Sequence, residues 1–412
     1  MTLYLLRRIT QSILFIILAW LTVYTVLVYV MPSGPAREYS ALKQDTWEQP
    51  EPPRGFQPNP PDIPTSDVRT RELESDFALN RPWPLSFVFW LFDPDDVTKI
   101  DHENGEAVVP KGIDLSIAGW RIKGSGILTG DFGPTARSTR LQSASVTEVL
   151  ESRWSNTITL VGASFLAAVL LAIPVGIVAA IRQRSSLDHM LTFATFTGFS
   201  MPAFMVGTLL VIFLGVLPFS FRNTLGWDWM PYFPASGVAD IDQYDNPWNR
   251  IYHLVLPAAS LALPQIAWLS RQVRTGMLEV MRTDYVRTAW AKGLTARKVV
   301  LKHTFRNALI PLITTIGLML PVFISGAIMV ETVFGYSGLG QVYFQALGGC
   351  LATGPAAEFF CPGNQALLPL DYNLALALTL LIIVVVALAN TVADLLYAVA
   401  DPRINYEHKA SS

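Results

Sequence analysis

The chain has 412 residues, of which 51% are hydrophobic and only 15% charged. A soluble globular chain carries about 25% charged residues, so a string of soluble domains is excluded. The net charge of −2 says nothing about nucleic acid by itself, and no nucleic-acid partner is expected; the distribution of charge is what informs.

With histidine counted as charged, uninterrupted stretches occur at 9–36, 154–181, 190–221, 254–270, 307–330 and 372–393. A bilayer core of about 30 Å needs about 20 helical residues at 1.5 Å each. Six such stretches predict an all-α polytopic membrane protein with six transmembrane helices. The loops between them alternate in charge. Arg7 and Arg8 precede the first span, Arg182 and Arg184 follow the second, and residues 271–306 hold nine Lys or Arg against Glu279 and Asp284. By contrast, 32–150 holds twelve basic and eighteen acidic side chains, 219–252 two and four, and 334–370 no Lys or Arg. Basic residues in short loops stay cytoplasmic. Both termini are therefore expected inside a cell (inner or plasma) membrane.

The first apolar run, 9–31, is longer than the 7–15 residues of a signal peptide and ends in Met-Pro-Ser-Gly-Pro, so a retained helix is expected. The external segment 32–150 begins with irregular chain: residues 47–64 carry seven prolines. An aromatic run follows, with Trp83, Phe87, Phe89, Trp90 and Phe92. Residues 93–125 are polar and Gly-rich, with short alternating pieces that suggest a small β-rich cap. This gives a division into 1–31, the external region 32–150, a five-helix core over 151–400, and a tail over 401–412.

Prolines interrupt the later spans: Pro174 in the second, Pro202 in the third, Pro257 and Pro264 in the fourth, Pro311 and Pro321 in the fifth. Each frees a carbonyl that a neighbour or water must satisfy, as in helices that line a path or move. Trp227, Trp229, Tyr232 and Phe233 read as an interfacial belt. Glu331 and Asp371 read as carboxylates solvated at the membrane rim, and Asp394 as a partner for a neighbouring helix.

The basic segment 271–306 is the most informative. Asp284 is expected to cap a short helix over 285–292, with Gly293 as the residue that ends it. Thr295 is then expected to cap a second helix over 296–306. A basic helical hairpin of this kind suits either a docked protein or an anionic lipid surface. The break at Gly293, and an apolar face limited to Tyr285, Val286 and Trp290, favour protein docking.

The chain offers little chemistry of its own. No Gly-Lys dipeptide exists to build a P-loop, and the five histidines are isolated. Gly335-Tyr336-Ser337-Gly338 has the form of an intramembrane serine protease motif, but the last span supplies no histidine base. An ion-coupled secondary transporter is the alternative reading, and it needs ionisable groups within the membrane.

Four motifs in order resemble permeases of the dipeptide/oligopeptide ABC importer family. They are Leu5-Leu-Arg-Arg-Ile9 through Met31-Pro-Ser-Gly-Pro35; Asp284-Tyr-Val-Arg-Thr-Ala-Trp-Ala-Lys-Gly-Leu294 with Asn307-Ala-Leu-Ile-Pro311; Glu331-Thr-Val-Phe-Gly-Tyr-Ser-Gly-Leu-Gly340; and Asp394-Leu-Leu-Tyr-Ala-Val-Ala-Asp-Pro-Arg403. Weaker echoes include Asn156-Thr157. The chain departs from the family at Trp290 and in its enlarged first external loop. The resemblance implies a type I ABC importer permease fold and a non-enzymatic, pore-forming subunit for peptides. Partners would be a second homologous permease subunit, two cytoplasmic ATPase subunits that use ATP and Mg, an external substrate-binding protein and the lipid bilayer. No cofactor or metal would be bound by this chain. The ATPase-coupling residues would be Asp284, Tyr285, Arg287, Thr288, Ala289, Ala291, Lys292, Gly293 and Leu294. Arg287 and Lys292 would pair with ATPase carboxylates, and the shapes of Tyr285, Ala289 and Gly293 would matter more than charge. Glu331, Gly335, Gly338, Gly340, Asp394, Tyr397, Asp401, Pro402 and Arg403 would be structural motif residues.

Cys350 and Cys361 both fall in the last external loop, where a disulfide persists. We expect them to be linked. Two thiols that alkylate freely in oxidised, unfolded protein would count against the bond.

Overall fold

The computed structural model describes residues 2–30, 83, 87, 99–100, 107–108, 113–117, 120–124, 146–226, 229, 231–347 and 371–400. The Pro-rich run 47–64, Phe89, Trp90, Phe92, Trp227, Cys350, Cys361, Asp401, Pro402 and Arg403 lie outside the described residues. Helix α1 (Thr2–Thr25) continues as a π-helical turn, Val26–Val30. Four short strands follow: β1 (Lys99–Ile100), β2 (Ala107–Val108), β3 (Ile113–Ile117) and β4 (Trp120–Gly124). They pair as two antiparallel ladders, β1 with β2 and β3 with β4, the latter running from Ile113 opposite Gly124 to Ile117 opposite Trp120.

The remaining elements are helical: α2 (Val146–Ile181), α3 (Ser186–Ser200), α4 (Ala203–Leu210), α5 (Leu217–Leu225), α6 (Pro247–Met281), α7 (Asp284–Ala291), α8 (Ala296–Lys298), α9 (Arg306–Val333), α10 (Leu339–Ala346) and α11 (Tyr372–Ala400). π-helical segments at Val211–Val216 and Val299–Phe305 join α4 to α5 and α8 to α9. Among the described residues six helical runs are long and apolar enough to cross a membrane: Arg7–Val30, Val146–Ile181, Ala203–Leu225, Pro247–Met281, Pro311–Val333 and Tyr372–Leu395. The chain is a six-span, multi-pass membrane protein.

The third span departs from the sequence expectation. The charge-free stretch 190–221 is two helices, because Pro202 stands between them. The residue before a proline is driven out of the helical region, and Met201 is extended at φ −101°, ψ 130°. Pro202 then opens α4, its carbonyl accepting from the N–H groups of Met205 and Val206. The span itself is Ala203–Leu225, and α3 is a separate 15-residue helix.

The described residues fall into two compact units, one drawn from Met1–Leu14, Arg153–Leu368 and Ile382–Ser412, the other from Phe15–Ser152 and Pro369–Leu381. In the second unit Trp83 Nε1 donates to Thr25 Oγ1 at 3.1 Å, and Phe87 lies 5.5 Å from the Tyr24 ring. Asp371 is fully buried in this unit, which corrects the expectation of a solvated carboxylate. It caps α11: its Oδ1 accepts from Leu374 N–H at 3.1 Å and its carbonyl from Ala375 N–H at 2.8 Å. A helix start leaves its first N–H groups without partners, and in hydrocarbon no water substitutes.

The first unit holds the main core, where Leu160, Leu269, Met277, Met319 and Phe323 are buried and Phe165 meets Phe323 edge-on at 5.8 Å. Small residues set the helix spacing, as expected where lipid supplies no hydrophobic drive between helices. A Cβ at Gly176 would lie 2.6 Å from the Ser270 carbonyl, so α2 and α6 are in backbone contact; at Gly317 it would lie 2.7 Å from Ala393 Cβ, bringing α9 against α11. Arg8 pairs with Asp394, and Ser12 Oγ lies 3.0 Å from Thr391 Oγ1, which ties the start of α1 to the end of α11. Tyr397 lies on α11.

A buried ion pair ties α3 to α6. Asp188 receives Arg274 Nε and Nη2, each at 2.9 Å, and the Arg184 backbone N–H at 2.9 Å. Ser185 caps α3 by accepting from Asp188 N–H at 3.2 Å. The Arg274 hydrogen bonds hold the Asp188 carboxyl below its ordinary pKa, outweighing the opposing effect of burial. A depressed carboxylate stabilises the fold above its unfolded pKa, and that contribution disappears as pH falls through the folded value. Asp188→Asn is expected to cost roughly 2 kcal/mol at neutral pH. Thermal unfolding in detergent should show that difference at pH 7 and a progressively smaller one as pH falls below the ordinary carboxylate pKa.

Candidate functional site

Two clusters of motif residues emerge, at opposite ends of α9. The first is the basic hairpin. Helix α7 begins one residue earlier than the sequence implied, and Asp284 is not its cap: Thr283 is the N-cap residue, with no side-chain bond to the helix. Asp284 instead lies in the first turn, nearly fully exposed, 3.6 Å from the Arg287 guanidinium. The helix ends at Ala291, and Gly293 takes the left-handed conformation at φ 75°, donating its N–H to the Trp290 carbonyl at 2.9 Å. A residue at that place without a glycine's freedom is strained.

The hairpin has its own core. Val286, Ala289 and Val299 are buried together, with Val280 and Leu294 packed against them. Ala289 therefore faces inward at 5% exposure, a correction to its expected place on a docking surface. The outward side chains are Tyr285 and Trp290, at 45% and 46% exposure, with Arg287, Thr288, Ala291 and Lys292 also exposed. Spacing explains the division. Residues three apart share a helix face, so Val286 and Ala289 point one way while Tyr285, Thr288 and Lys292 point another. The second helix also differs from expectation. Thr295 is its N-cap, without a side-chain bond, but the helix does not stop at 306. Residues 296–333 form one helical run with right-handed geometry at every junction.

The second cluster surrounds Glu331, which is 0% exposed. The sequence reading placed this carboxyl in solvent at the rim; the structure buries it inside a hydrogen-bonded knot. Its Oε1 accepts from Thr157 Oγ1 at 2.7 Å, and its Oε2 from the backbone N–H groups of Gly340 at 2.6 Å and Gln341 at 3.1 Å. Leu339 N–H donates to Thr157 Oγ1 at 2.8 Å. The first three N–H groups of α10 are thus satisfied by side chains from α9 and α2. Gly338, the N-cap residue of α10, has no side chain to do this, so a carboxyl and a hydroxyl from elsewhere supply the cap.

The glycines make room for it. Helix α9 ends in a Schellman arrangement: Tyr336 N–H reaches the Glu331 carbonyl at 2.8 Å, Gly335 N–H reaches that of Thr332 at 3.2 Å, and Gly335 sits at φ 54°. A Cβ at Gly338 would land on the Glu331 carboxyl, and one at Gly340 would lie 2.5 Å from Ile328 Cα. Asn156 extends the knot, donating Nδ2 to the Ser337 carbonyl at 2.8 Å and accepting from Arg250 Nη2 at 3.3 Å. Burial pushes the nearby Tyr336 phenol up to about 12, so it stays neutral. Ser337 is held through its backbone carbonyl in this knot.

Sequence reasoning missed Val286 and Val299 as the fastening of the hairpin, and Thr157 as a ligand of the carboxyl. The pairing of Asn156-Thr157 with the Glu331 motif is invisible until α2 and α9 pack. Among the described residues no group of His, Cys, Asp and Glu has the arrangement of a metal site.

Gly340→Ala is expected to destabilise the protein by about 1–3 kcal/mol, since the backbone at Ile328 cannot yield. Thr157→Val should cost a similar amount by leaving Leu339 N–H and Glu331 short of a partner. Gly162→Ala meets nothing within 4 Å and serves as the neutral control. Melting temperatures in one detergent would test all three.

Comparison with known proteins places these clusters in context. The family of binding-protein-dependent transport system inner membrane components matches residues 172–406. The chain is 36% identical over 280 residues to the oligopeptide transport system permease protein AppB of Bacillus subtilis (strain 168), covering 68% of this chain and 78% of that protein. It is 33% identical over 291 residues to the dipeptide transport system permease protein DppB of Escherichia coli (strain K12), covering 68% and 79%. Among solved structures, a chain of the inward-facing MetNI methionine ABC transporter aligns with a TM-score of 0.44 at 16% identity, covering 62% of this chain and 97% of that one.

Proposed function

The chain belongs to the family of binding-protein-dependent transport system inner membrane components, and from that membership we propose that it is the peptide-conducting permease subunit of an ATP-driven importer. It works beside a second, homologous permease subunit. An external binding protein delivers di- or oligopeptides, and two ATPase subunits on the cytoplasmic face use ATP and Mg. The chain itself contributes a path and a docking surface, not a reaction. The peptide assignment draws on relatives named as oligopeptide and dipeptide permeases.

The observation that carries this reading is the hairpin. A small apolar core of Val286, Ala289 and Val299 holds α7 in place, while Tyr285, Arg287, Thr288, Trp290 and Lys292 remain exposed around it. Such a surface suits a partner groove, with the two aromatics as anchors. The charge alternation of the loops puts this end of the bundle in the cytoplasm, together with both termini. ATP-driven closure of the ATPase pair would then displace α7 and bias the spans between inward- and outward-open states.

An ion-coupled secondary transporter has one observation in its favour, the buried carboxyl of Glu331. That group is already engaged by three donors that close a helix end. Its geometry suits an anchor more than a proton carrier.

Gly293→Val is the sharpest test. A Cβ there meets nothing within 4 Å, so the cost is confined to the left-handed backbone at φ 75°. The strain is about 1–2 kcal/mol. The variant should insert normally, retain its partners weakly, and lose peptide uptake in proteoliposomes by at least about tenfold while ATP hydrolysis continues uncoupled. Wild-type uptake by this variant, or uptake driven by a proton gradient with no ATPase present, would refute the reading.

A further inference from the structure

A cavity of about 210 Å³ opens between α2, α3 and α6, at the end of the bundle that carries Arg182, Arg184 and the basic hairpin. Its polar lining is rich in donors. The Arg274 fork to Asp188 uses Nε and Nη2, so Nη1 takes no part in that pair. Arg271 lies over the Phe196 ring at 4.7 Å, and among the described residues its guanidinium makes no ion pair. Thr192 and Thr275 also line the space. No carboxylate borders it, because the one nearby, Asp188, is spent on Arg274 and Arg184. Two guanidiniums against one carboxylate leave the site with a net positive charge. The remaining wall is apolar, including Val175 and Leu191.

We propose that this cavity binds the phosphate group of an anionic phospholipid. A tetrahedral oxyanion matches the planar guanidinium forks and the lining threonines, and the apolar wall takes the glycerol and first acyl carbons. Phe196 pre-orders Arg271 by stacking, which lowers the entropy lost when the anion arrives. Basic pockets between membrane helices near a leaflet surface are suited to lipid headgroups. The site lies on α6, which leads directly into α7, so an occupied cavity braces the root of the hairpin. Assigning it to the cytoplasmic leaflet rests on the proposed topology; the binding itself does not, so the two can fail separately.

The experiment is lipid retention by the purified full chain in detergent, measured by native mass spectrometry after exposure to equal parts phosphatidylglycerol and phosphatidylcholine. The wild type should retain phosphatidylglycerol preferentially. Arg271→Gln should lower that retention about fivefold, Thr192→Val should lower it measurably, and Arg271→Lys, which keeps the charge but loses the fork and the stacking plane, should recover only part of it. Arg297→Gln removes an exposed charge from the same end and should leave retention unchanged. Equal losses in Arg271→Gln and Arg297→Gln would reduce the effect to general surface charge and overturn the proposal, as would equal retention of the two lipids. A soluble arm separates the sources: inorganic phosphate or glycerol phosphate that displaced the lipid and bound alone with the same Arg271 dependence would overturn a lipid origin. Displacement by a dipeptide would assign the cavity to cargo and overturn it likewise. Arg271 is exposed and, among the described residues, contacts only the Phe196 ring without an ion pair, so a circular dichroism melt identical to wild type is expected and verifies the fold.

Discussion

In hydrocarbon, a polar group without a partner costs several kcal/mol, and no water is at hand to supply one. That constraint organises this protein. Three helix starts among the described residues are closed by protein groups in place of solvent. Asp371 closes its own helix, Pro202 accepts the first N–H groups of α4, and Glu331 with Thr157 closes α10 across two other helices. The glycines of the 331–340 motif follow from the same demand. They let backbone approach a buried carboxyl closely enough to donate to it.

The hairpin obeys a different rule, that of a small soluble domain. Its three buried aliphatic side chains do for α7 what the bilayer does for the spans: they fix its orientation without help from its polar face. The polar and aromatic face is then free for recognition. The same division explains why positive charge alone does not define the surface. Charge is spread along the whole segment 271–306, whereas the outward Tyr285 and Trp290 are confined to one short helix.

The number of spans, the basic loops and the breaking role of Gly293 were all legible in the sequence, because each depends on local composition or on one backbone angle. What was not legible depends on contacts between distant segments. Glu331 lies immediately after the charge-free run 307–330, where a carboxylate ordinarily meets water; the approach of Thr157, 174 positions earlier, and of the Gly340 and Gln341 N–H groups makes burial tolerable. Asp284 looked like a cap because of its residue type, yet Thr283 holds the extended backbone that the position requires. Pro202 looked like an interruption within one helix, when it separates two. Ala289 reads as neutral in any sequence pattern, and its inward direction follows only from Val299 lying opposite.

The unbroken run 296–333 joins the hairpin's inner wall at Val299 to the carboxyl knot at Glu331, about 48 Å away at 1.5 Å per residue. The run is continuous but not uniform: it passes through the π-helical stretch Val299–Phe305 and carries Pro311 and Pro321, each of which removes one backbone hydrogen bond. The hairpin's inner wall and the cap of α10 therefore belong to one continuous helical run, α10 being fastened to it through Glu331.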